Sequence, residues 1–598
     1  MMPPLRARSR SWTVNIFTAA AIAIGSTGPA CAQSLNWAVC GGPLGSSSVM
    51  DLAYDANGDL FVGGYVAAGA LDIDPGTDTL FVQSGGTSSS LLAKYTANGE
   101  LLWAHVFGDT LLQRIHAVAP DGQGGVVVAG LYTTPFDIDP GPGTWMMTVS
   151  PGSLWNTTFL ARFDANGALQ WALSLGAAWA YVVPSEVAVD NSGNLILFGS
   201  FDNNIGSGVD MDPGPAVHTL VSQEEDTFVA KYSPSGAYLW AFTLGGVEDF
   251  EHGNCLACDG SGNVYVGLEA RSMGIDADPG PGQYLVDAVN TRKHMLLASY
   301  EPGGAFRWAF TVGVSQISSA VVPLDITVDD NDDVIVSGYA TGTDIDFDPS
   351  ADTTSIDQSP GMAIFLAKYS AAGALVWCNE LESTGTNFNR GWSLDCTPGN
   401  DIVLAGEFTG DSLDADPSPG HFPLYRIGGI GDSFAALYTA GGGLINAFNI
   451  SSSSHASPFA VASGNGGALA MGGHFEGTDF DPEPWATGPT YDAGNNGYYL
   501  TVYKDLATSI QLVAPLTGGL SIVPNPGDGR GPVRVTSPGG LAEVSTWSMN
   551  GTLVRAIPAA GGSVMIDPSG LAPGLYLIRA VTRTGALLSE KLVIEGER

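Results

Sequence analysis

The tetrapeptide pattern Asp-x-Asp-Pro occurs seven times along this chain at nearly constant spacing. The copies begin at Asp72, Asp137, Asp210, Asp276, Asp346, Asp414 and Asp479. Successive copies are 65, 73, 66, 70, 68 and 65 residues apart. A regular period is typical of proteins built from repeated supersecondary units, each of which covers the apolar face of the next. The 598 residues are therefore predicted to fold as repeats rather than around one large core.

Three other segments recur with the same step. A segment of the form LLWAHV contains Trp37, Trp103, Trp171, Trp240, Trp308 and Trp377, and Asn446 stands where the next tryptophan would fall. Apolar runs such as VYVGL follow a turn of the form Asp-x-x-Gly, and runs such as FLAKY follow the Asp-x-Asp-Pro segment. These β-branched and apolar runs between turns predict strands that are buried on both faces.

Each repeat thus consists of four short predicted strands, with almost no helical periodicity. Four-stranded antiparallel units repeated four to eight times are typical of a β-propeller. The predicted fold class is therefore all-β, a seven-bladed β-propeller followed by a small C-terminal β-sandwich, with a linear β-solenoid as the alternative. The repeats begin with the Trp37 strand and end with YLTVY at 499–503. Residues 35–40 are therefore predicted to complete the last blade and close the ring.

The chain divides into four predicted segments. Arg6, Arg8 and Arg10 precede a short apolar run and the small residues ACA at 30–32, which indicates a signal peptide at 1–32. Residues 33–505 are assigned to the seven-repeat propeller, 506–517 to a linker and 518–598 to a separate C-terminal domain. No apolar run beyond the N-terminus is long enough to cross a membrane, so no span is expected in the mature chain.

Two resemblances to known families follow from these motifs. Over roughly 35–505, the alternation of hairpins such as GNVYVGL and FLAKYSAAGALVWC resembles the bacterial SBBP-type β-propeller repeat proteins, a group without a common chemistry. The C-terminal region resembles the sorting domain of the type IX secretion system. The matching residues are Pro524-Asn525-Pro526, the turn Asn550-Gly551, the run GLAPGLY at 570–576 and the ending KLVI at 591–594. This resemblance implies export by that machinery, followed by surface attachment or release.

The net charge limits which partners are expected, and the cysteine content limits which disulfides and metal sites are expected. The formal net charge is −38 at pH 7, and such a surface repels nucleic acid and anionic lipid, so no nucleic-acid partner is expected. Five cysteines follow the predicted signal peptide, namely Cys40, Cys255, Cys258, Cys378 and Cys396. An odd, sparse set is not a disulfide framework. The pair Cys255 and Cys258 also lacks the second pair that a zinc site needs, so buried free cysteines are predicted.

The aspartate pairs are the candidate metal ligands. Residues two apart on an extended segment face the same way, so each pair directs two carboxylates at one spot. The pairs are Asp72 and Asp74, Asp137 and Asp139, Asp210 and Asp212, Asp276 and Asp278, Asp346 and Asp348, Asp414 and Asp416, and Asp479 and Asp481. Two uses remain open. The oxygens brace the turn by accepting backbone N–H groups, or they bind Ca²⁺ with carbonyls or waters that complete its six to eight ligands.

The sequence holds no recognisable catalytic motif. HExxH, GxSxG and Walker-type loops do not occur in it, and the predicted function is non-enzymatic binding or adhesion by a secreted or surface-attached protein. Its extracellular ligand would be a glycan or a protein. A carbohydrate-active enzyme that uses the propeller channel and a structural surface protein are the alternatives. An asymmetric pocket with converging carboxylates would favour the enzyme, and the non-repeating segments 248–252 and 387–392 are candidate positions.

Overall fold

The computed structural model describes residues 34–41, 47–76, 79–108, 111–149, 156–202, 208–246, 250–288, 292–314, 319–384, 388–426, 430–479, 490–491, 497–504, 521–523, 532–537, 541–548, 553–558, 563–567, 574–582 and 587–594. The predicted signal peptide and linker lie outside these ranges. The described residues belong to two compact parts, which we call the repeat part (up to Lys504) and the C-terminal part (from Ser521). The described ranges are all-β, without an α-helix. They contain no helix of the length and hydropathy that membrane crossing requires.

The strands of repeats 1 to 4 follow the predicted order. The first strand, β1 (Ser34–Gly41), precedes repeat 1, which holds β2 (Ser48–Tyr54), β3 (Leu60–Asp72), β4 (Phe81–Tyr95) and β5 (Leu101–Phe107). Repeat 2 holds β6 (Gln113–Pro120), β7 (Val126–Tyr132), β8 (Phe136–Asp137), β9 (Met146–Met147), β10 (Thr157–Phe163) and β11 (Leu169–Leu175). Repeat 3 holds β12 (Tyr181–Val189), β13 (Leu195–Asp202), β14 (Val209–Asp210), β15 (Thr219–Leu220), β16 (Glu225–Tyr232) and β17 (Tyr238–Leu244). Repeat 4 holds β18 (His252–Cys258), β19 (Val264–Ala270), β20 (Ile275–Asp276), β21 (Leu285–Val286), β22 (His294–Tyr300) and β23 (Phe306–Val312).

Repeats 5 to 7 continue the pattern and end on a shared long strand. Repeat 5 holds β24 (Ala320–Val328), β25 (Val334–Asp346), β26 (Ser355–Tyr369) and β27 (Leu375–Leu381). Repeat 6 holds β28 (Asn389–Cys396), β29 (Ile402–Phe408), β30 (Ser412–Asp414), β31 (Pro423–Tyr425), β32 (Asp432–Tyr438) and the first half of β33 (Leu444–Gly464). Repeat 7 holds the second half of β33, a short 3₁₀ turn (Asn465–Gly467), β34 (Ala468–Asp479), β35 (Thr490–Tyr491) and β36 (Gly497–Lys504).

Sheet topology joins the two ends of the repeat part. Each of repeats 1 to 5 forms a four-stranded antiparallel sheet, such as β2-β3-β4-β5. Repeats 6 and 7 share β33 and form one eight-stranded sheet, in which β1 pairs with β36. The prediction that the first strand completes the last repeat is therefore confirmed.

The first strands of successive repeats contact one another along a closed path. The path runs from β2 through β6, β12, β18, β24, β28 and β33 back to β2. Each apolar cluster of the repeat part holds side chains of two consecutive repeats, and one joins repeat 7 to repeat 1 through Trp37, Val39 and Leu52. Apolar side chains thus fill the space between neighbouring sheets, which is the architecture of a β-propeller repeat protein.

The C-terminal part is a separate β structure. One sheet holds β37 (Ser521–Val523), β38 (Val533–Thr536) and β41 (Ser563–Ile566), and the other holds β39 (Leu541–Ser548), β40 (Leu553–Pro558), β42 (Gly574–Thr582) and β43 (Leu587–Ile594). Side chains of both sheets share one apolar cluster, including Val535, Val564 and Ile578. Residues 524–526, 550–551 and 570–573, which carry much of the sorting-domain resemblance, lie outside the described residues.

Candidate functional site

The Asp-x-Asp-Pro segments have the same hydrogen-bond pattern in the six copies whose side chains are described. Oδ1 of the first aspartate accepts the N–H of the second aspartate at 3.0–3.2 Å and the N–H of the residue eight positions later at 2.8–3.0 Å. Oδ1 of the second aspartate accepts the N–H two residues on, at 2.7–2.9 Å. Each pair therefore braces its own loop. In the seventh copy, Asp481 and the side chain of Asp479 lie outside the described residues.

The residue between the two aspartates anchors the loop in the core. In the six described copies it is fully buried: Ile73, Ile138, Met211, Ala277, Phe347 and Ala415. Its carbonyl accepts a hydrogen bond from the hydroxyl of the tyrosine that ends the FLAKY-type strand, at 2.8–3.1 Å, in repeats 1, 3, 4, 5 and 6. In repeats 2, 3, 4 and 6 the segment forms a separate short hairpin, in which, for example, Asp137 pairs with Met146. The buried residue and the two aspartates thus fix one hairpin per repeat.

The recurring tryptophans link each repeat to the next. Trp103 Nε1 donates to the carbonyl of Ala165 in repeat 2 at 3.1 Å, and the equivalent bonds recur up to Trp377. Trp37 of β1 donates in the same way to Ala97 of repeat 1, at 3.4 Å. Asn446 of repeat 6 faces a repeat whose third and outer strands, β36 and β1, come from opposite ends of the chain. In repeat 7 these two strands are therefore not consecutive in the chain, unlike the third and outer strands of the other repeats.

A cavity of about 560 Å³ is bounded by the first strands of several repeats. Asp51, Glu186, Asp325 and Asp395 line it, together with apolar residues such as Leu256 and Val461. Asp51, Glu186 and Asp325 each come immediately after a β-bulge in their strand. A bulge re-aims the following side chain. The equivalent residues are Ala117, Cys255, Ser393 and Ala460 in the other repeats, so the cavity is asymmetric.

The cavity carboxylates also hold neighbouring repeats together. Asp51 Oδ2 accepts the N–H of Val118 in repeat 2 at 2.6 Å, and Asp325 Oδ2 accepts that of Leu394 in repeat 6 at 2.6 Å. Asp395 Oδ2 accepts the N–H of Ser463 in repeat 7 at 2.6 Å. Charge-assisted bonds of this length are strong. These carboxylates therefore link the first strands of neighbouring repeats by hydrogen bonds.

Burial and mutual repulsion shift the protonation of this cluster. Burial, reinforced by the nearby charge of Asp395, raises the pKa of Asp51 and of Asp325 to about 7. Burial and the charge of Asp51 raise the pKa of Glu186 well above its usual range, and burial raises that of Asp395. As whole residues, all four are partly rather than fully buried. The sequence analysis missed the cluster, although an acid in an otherwise apolar strand, as in MDLAYD and LDITVD, is a detectable signal.

The other positions that the sequence singled out make contacts within the fold. Glu251, in candidate segment 248–252, is fully buried and accepts the N–H groups of Gly246 and Ser272 at 2.9 Å. In candidate segment 387–392, Arg390 contacts Glu407 at 3.4 Å. The five cysteines that follow the predicted signal peptide are free thiols. Cys255 is buried as predicted, whereas Cys258 is only partly buried. Among the described residues, no group of three or more His, Cys, Asp or Glu side chains is arranged to hold a metal ion.

Comparison with known proteins adds little to this geometry. No family model matches the chain. An uncharacterized WD repeat-containing protein of Acanthamoeba polyphaga mimivirus is 24% identical over 367 residues, which is 53% of this chain and 25% of that protein. The chain thus spans about a quarter of the length of this relative.

Solved structures of three other proteins are similar at low levels. PorZ, a surface component of the type IX secretion system of Porphyromonas gingivalis, is 13% identical over 91% of this chain and 81% of its own, with a TM-score of 0.16. YCF48 bound to D1 peptide is 9% identical over 80% and 99%, with a TM-score of 0.33. A family 25 ulvan lyase is 9% identical over 73% and 93%, with a TM-score of 0.34. Similarity at this level assigns no function.

Proposed function

We propose that this chain is an exported, seven-bladed β-propeller of the SBBP type that binds an extracellular ligand without catalysing a reaction. The observation that carries the proposal is a set of exposed apolar pairs at equivalent places on the aspartate-braced hairpins. The pairs are Leu80 with Phe81, Trp145 with Met146, and Tyr284 with Leu285, each residue 43–60% exposed. Exposed apolar groups that recur on a rigid scaffold favour interaction, and several copies strengthen binding through avidity.

Binding is tested by removing these side chains. We expect the purified repeat protein to bind members of a glycan array or an extracellular protein, and the variant Phe81→Ala/Trp145→Ala/Tyr284→Ala to lose at least ten-fold in apparent affinity. Val376→Ala, which alters an apolar side chain of similar exposure (52%) on the outer strand of repeat 5, is the matched control. Equal binding by the triple variant and the control would contradict the proposal.

Export to the cell surface or the medium rests on the C-terminal resemblance to a type IX sorting domain, for which we propose a β-sandwich fold. A protein that lacks 518–598 should remain in the periplasm, whereas the full chain should reach the surface.

The proposal of a seven-blade ring rests on the closed path of first strands and on the β1–β36 pair. Deletion of residues 35–41 should abolish cooperative unfolding, because the last blade loses its outer strand. An unchanged melting curve would contradict closure.

A carbohydrate-active enzyme is the second candidate, and the asymmetric cavity favours it. Carboxyl groups with raised pKa in a cleft are typical acid–base catalysts, and a polysaccharide end would enter a cavity of this size. Against this use, Asp51, Asp325 and Asp395 already accept backbone N–H groups with both oxygens. A screen of polysaccharides for new reducing ends or unsaturated products tests it. Activity that Glu186→Gln abolishes at unchanged melting temperature would replace the binding proposal.

A further inference from the structure

A second cavity, of about 370 Å³, lies between repeats 3 and 4, beside the turns that connect their strands. Its apolar side consists of Leu239, which is 46% exposed, and Trp240, which is partly exposed, both on the outer strand β17. Its polar lining includes the side chains of Asn191, Ser192 and Ser261. A concave site with one apolar side and a few polar groups suits a small ligand that has both kinds of surface.

A buried ion pair lines the same cavity. Lys231 is 2% exposed and Asp190 is 8% exposed. Lys231 Nζ lies 2.8 Å from Asp190 Oδ2 and donates to the carbonyl of Pro302 at 3.0 Å. Asp190 Oδ1 accepts the N–H groups of Ser192 and Asn194 at 2.8 and 2.9 Å, and the Asn194 amide donates to Oδ2 at 2.9 Å. The carboxylate is thus fully occupied, whereas the ammonium group uses two of its three N–H donors.

The equivalent lysines of two other repeats have a third partner. Lys94 of repeat 1 contacts a second carboxylate, that of Asp59, at 3.2 Å, and Lys368 of repeat 5 contacts that of Asp333 at 3.2 Å. In repeat 3 this position is Asn194. Among the described residues, which include every turn around the cavity, the third N–H of the repeat 3 lysine has no hydrogen-bond acceptor. It is therefore available to a ligand oxygen.

A glycine provides room at this position. Gly303 is exposed, and a Cβ atom added to it would have no neighbour within 4 Å. The equivalent residues of repeats 2, 3 and 5 are Asn166, Ser235 and Ala372, all of which carry a side chain. The junction between repeats 3 and 4 therefore has open space where these three repeats place side-chain atoms.

The charges around the cavity disfavour an anionic ligand. Lys231 and Asp190 neutralise each other at 2.8 Å. The turns of repeat 4 that border the cavity also carry Asp259 and Glu301, and the formal net charge of the chain is −38. An acidic group would be repelled by this negative potential, so the ligand oxygen that accepts the lysine N–H should belong to a neutral group such as a hydroxyl.

We propose that this cavity binds one ring of a neutral saccharide. The C–H groups on one face of a pyranose pack against Trp240 and Leu239, since an indole offers a large apolar area. One ring hydroxyl accepts the third N–H of Lys231, whose Nζ lies 6.0 Å from the centroid of the Trp240 ring, and the side chains of Asn191 and Ser261 bind other hydroxyls.

This site is separate from the aspartate-braced hairpins, although it rests on the proposed function of extracellular binding. The strand β13 begins at Leu195, directly after the turn that borders the cavity, and ends at Asp202, ahead of the hairpin of repeat 3. The cavity and the hairpin therefore lie at opposite ends of the same sheet.

Saturation-transfer NMR with methyl glycosides tests the site. We expect the wild type to bind at least one of methyl β-glucoside, methyl β-galactoside and methyl α-mannoside, and to bind methyl β-glucuronide at least ten-fold more weakly. Gly303→Tyr fills the cavity and should weaken binding of the neutral glycoside at least ten-fold. Ala372→Tyr, at the equivalent exposed position of repeat 5, is the matched control and should bind as the wild type does. Failure of all three neutral glycosides, equal binding of the glucuronide, or equal effects of the two variants would overturn the proposal.

Asn194→Asp tests the role of the lysine. The new carboxylate would occupy the third N–H of Lys231, as Asp59 and Asp333 do in their repeats. We expect several-fold weaker glycoside binding at an undiminished melting temperature, and unchanged affinity would overturn the proposal.

The hairpin variant Phe81→Ala/Trp145→Ala/Tyr284→Ala separates this site from the proposed hairpin site. It should keep the methyl glycoside signal, because its substitutions lie outside the residues that line the cavity. A glycoside whose binding is lost in this variant and kept in Gly303→Tyr would overturn the cavity site and support the hairpins instead.

Discussion

The hairpin aspartates and the cavity carboxylates are two acidic regions of this propeller, and they differ in how often they recur and in the N–H groups that they bind. The hairpin pairs recur in each repeat, and their oxygens bind N–H groups of their own loop. The cavity carboxylates occur in some repeats only. Three of the four directly follow a β-bulge, and three accept an N–H group of the next repeat. Acidic groups that recur in every repeat therefore shape the repeat to which they belong. Acidic groups that occur in some repeats only place their charge at the junction with neighbouring repeats.

The largest effect is expected in the hairpin region, at its buried centre. Phe347→Ala removes a fully buried aromatic ring that packs on Phe365 at a centroid distance of 5.0 Å. We expect a loss of about 3–5 kcal/mol in the free energy of unfolding, measured by chemical denaturation. Thr354→Ala, in the same hairpin, keeps its backbone bond to Asp346 and should cost far less. Equal losses would mean that the buried residue does not anchor the hairpin.

The next effect is a pH dependence that belongs to the cavity. The pKa of Asp51 and of Asp325 rises from 3.8 to about 7 on folding, so the folded state binds more protons than the unfolded state between about pH 4 and 7. Stability should therefore fall as the pH rises through this window and level off above it. Allowing for partial solvent contact, we expect a loss on the order of 2 kcal/mol.

Melting curves between pH 4 and 8.5 measure this dependence, and one repeat supplies a natural control. Ser393 stands at the position of Asp51 and Asp325 in repeat 6, and its hydroxyl accepts the N–H of Val461 at 3.0 Å. Asp51→Ser/Asp325→Ser should therefore keep a hydrogen bond between neighbouring repeats and make the melting temperature less dependent on pH. A profile as steep as that of the wild type would contradict the assignment.

A smaller effect is expected for one hairpin aspartate. Asp137→Ala removes the acceptor of the N–H groups of Asp139 and Trp145, which should cost about 1–2 kcal/mol because both groups lie close to solvent. Asp137→Asn keeps an acceptor oxygen and should recover most of this stability. Denaturation of the two variants at pH 7 gives the comparison, and an equal loss in both would indicate that the charge, rather than the acceptor, matters.

The smallest effect concerns calcium, which stays a prediction for the hairpins. Any binding should be weak, about 10⁻⁴–10⁻³ M, because Oδ1 of each described aspartate is already occupied by backbone N–H groups. Several millimolar Ca²⁺ would then raise the melting temperature by a few degrees relative to EDTA. Magnesium at equal concentration is the control. Identical curves, with no calcium found by elemental analysis, would leave loop bracing as the role of the pairs.

Much of the fold was predictable because its signals are local and repeated. The turn residues, the apolar runs and the Asp-x-Asp-Pro period are each contained within one repeat, and the placement of β1 beside β36 followed from a missing strand at each end of the repeats. The short hairpin at Asp137 was not predicted, since two-residue strands leave no periodic pattern. The seven-blade count, the sorting domain and the ligand remain proposals.

By itself, the sequence determined an all-β chain of repeated four-stranded units, because alternation, turns and apolar runs act over a few residues. Only the tertiary structure decided that Asp51, Glu186, Asp325 and Asp395 line one cavity and that three of them accept N–H groups of the next repeat. These contacts depend on bulges that re-aim single side chains and on the closed path of first strands. Burial and repulsion, which set the protonation of such groups, arise only when distant repeats are brought together.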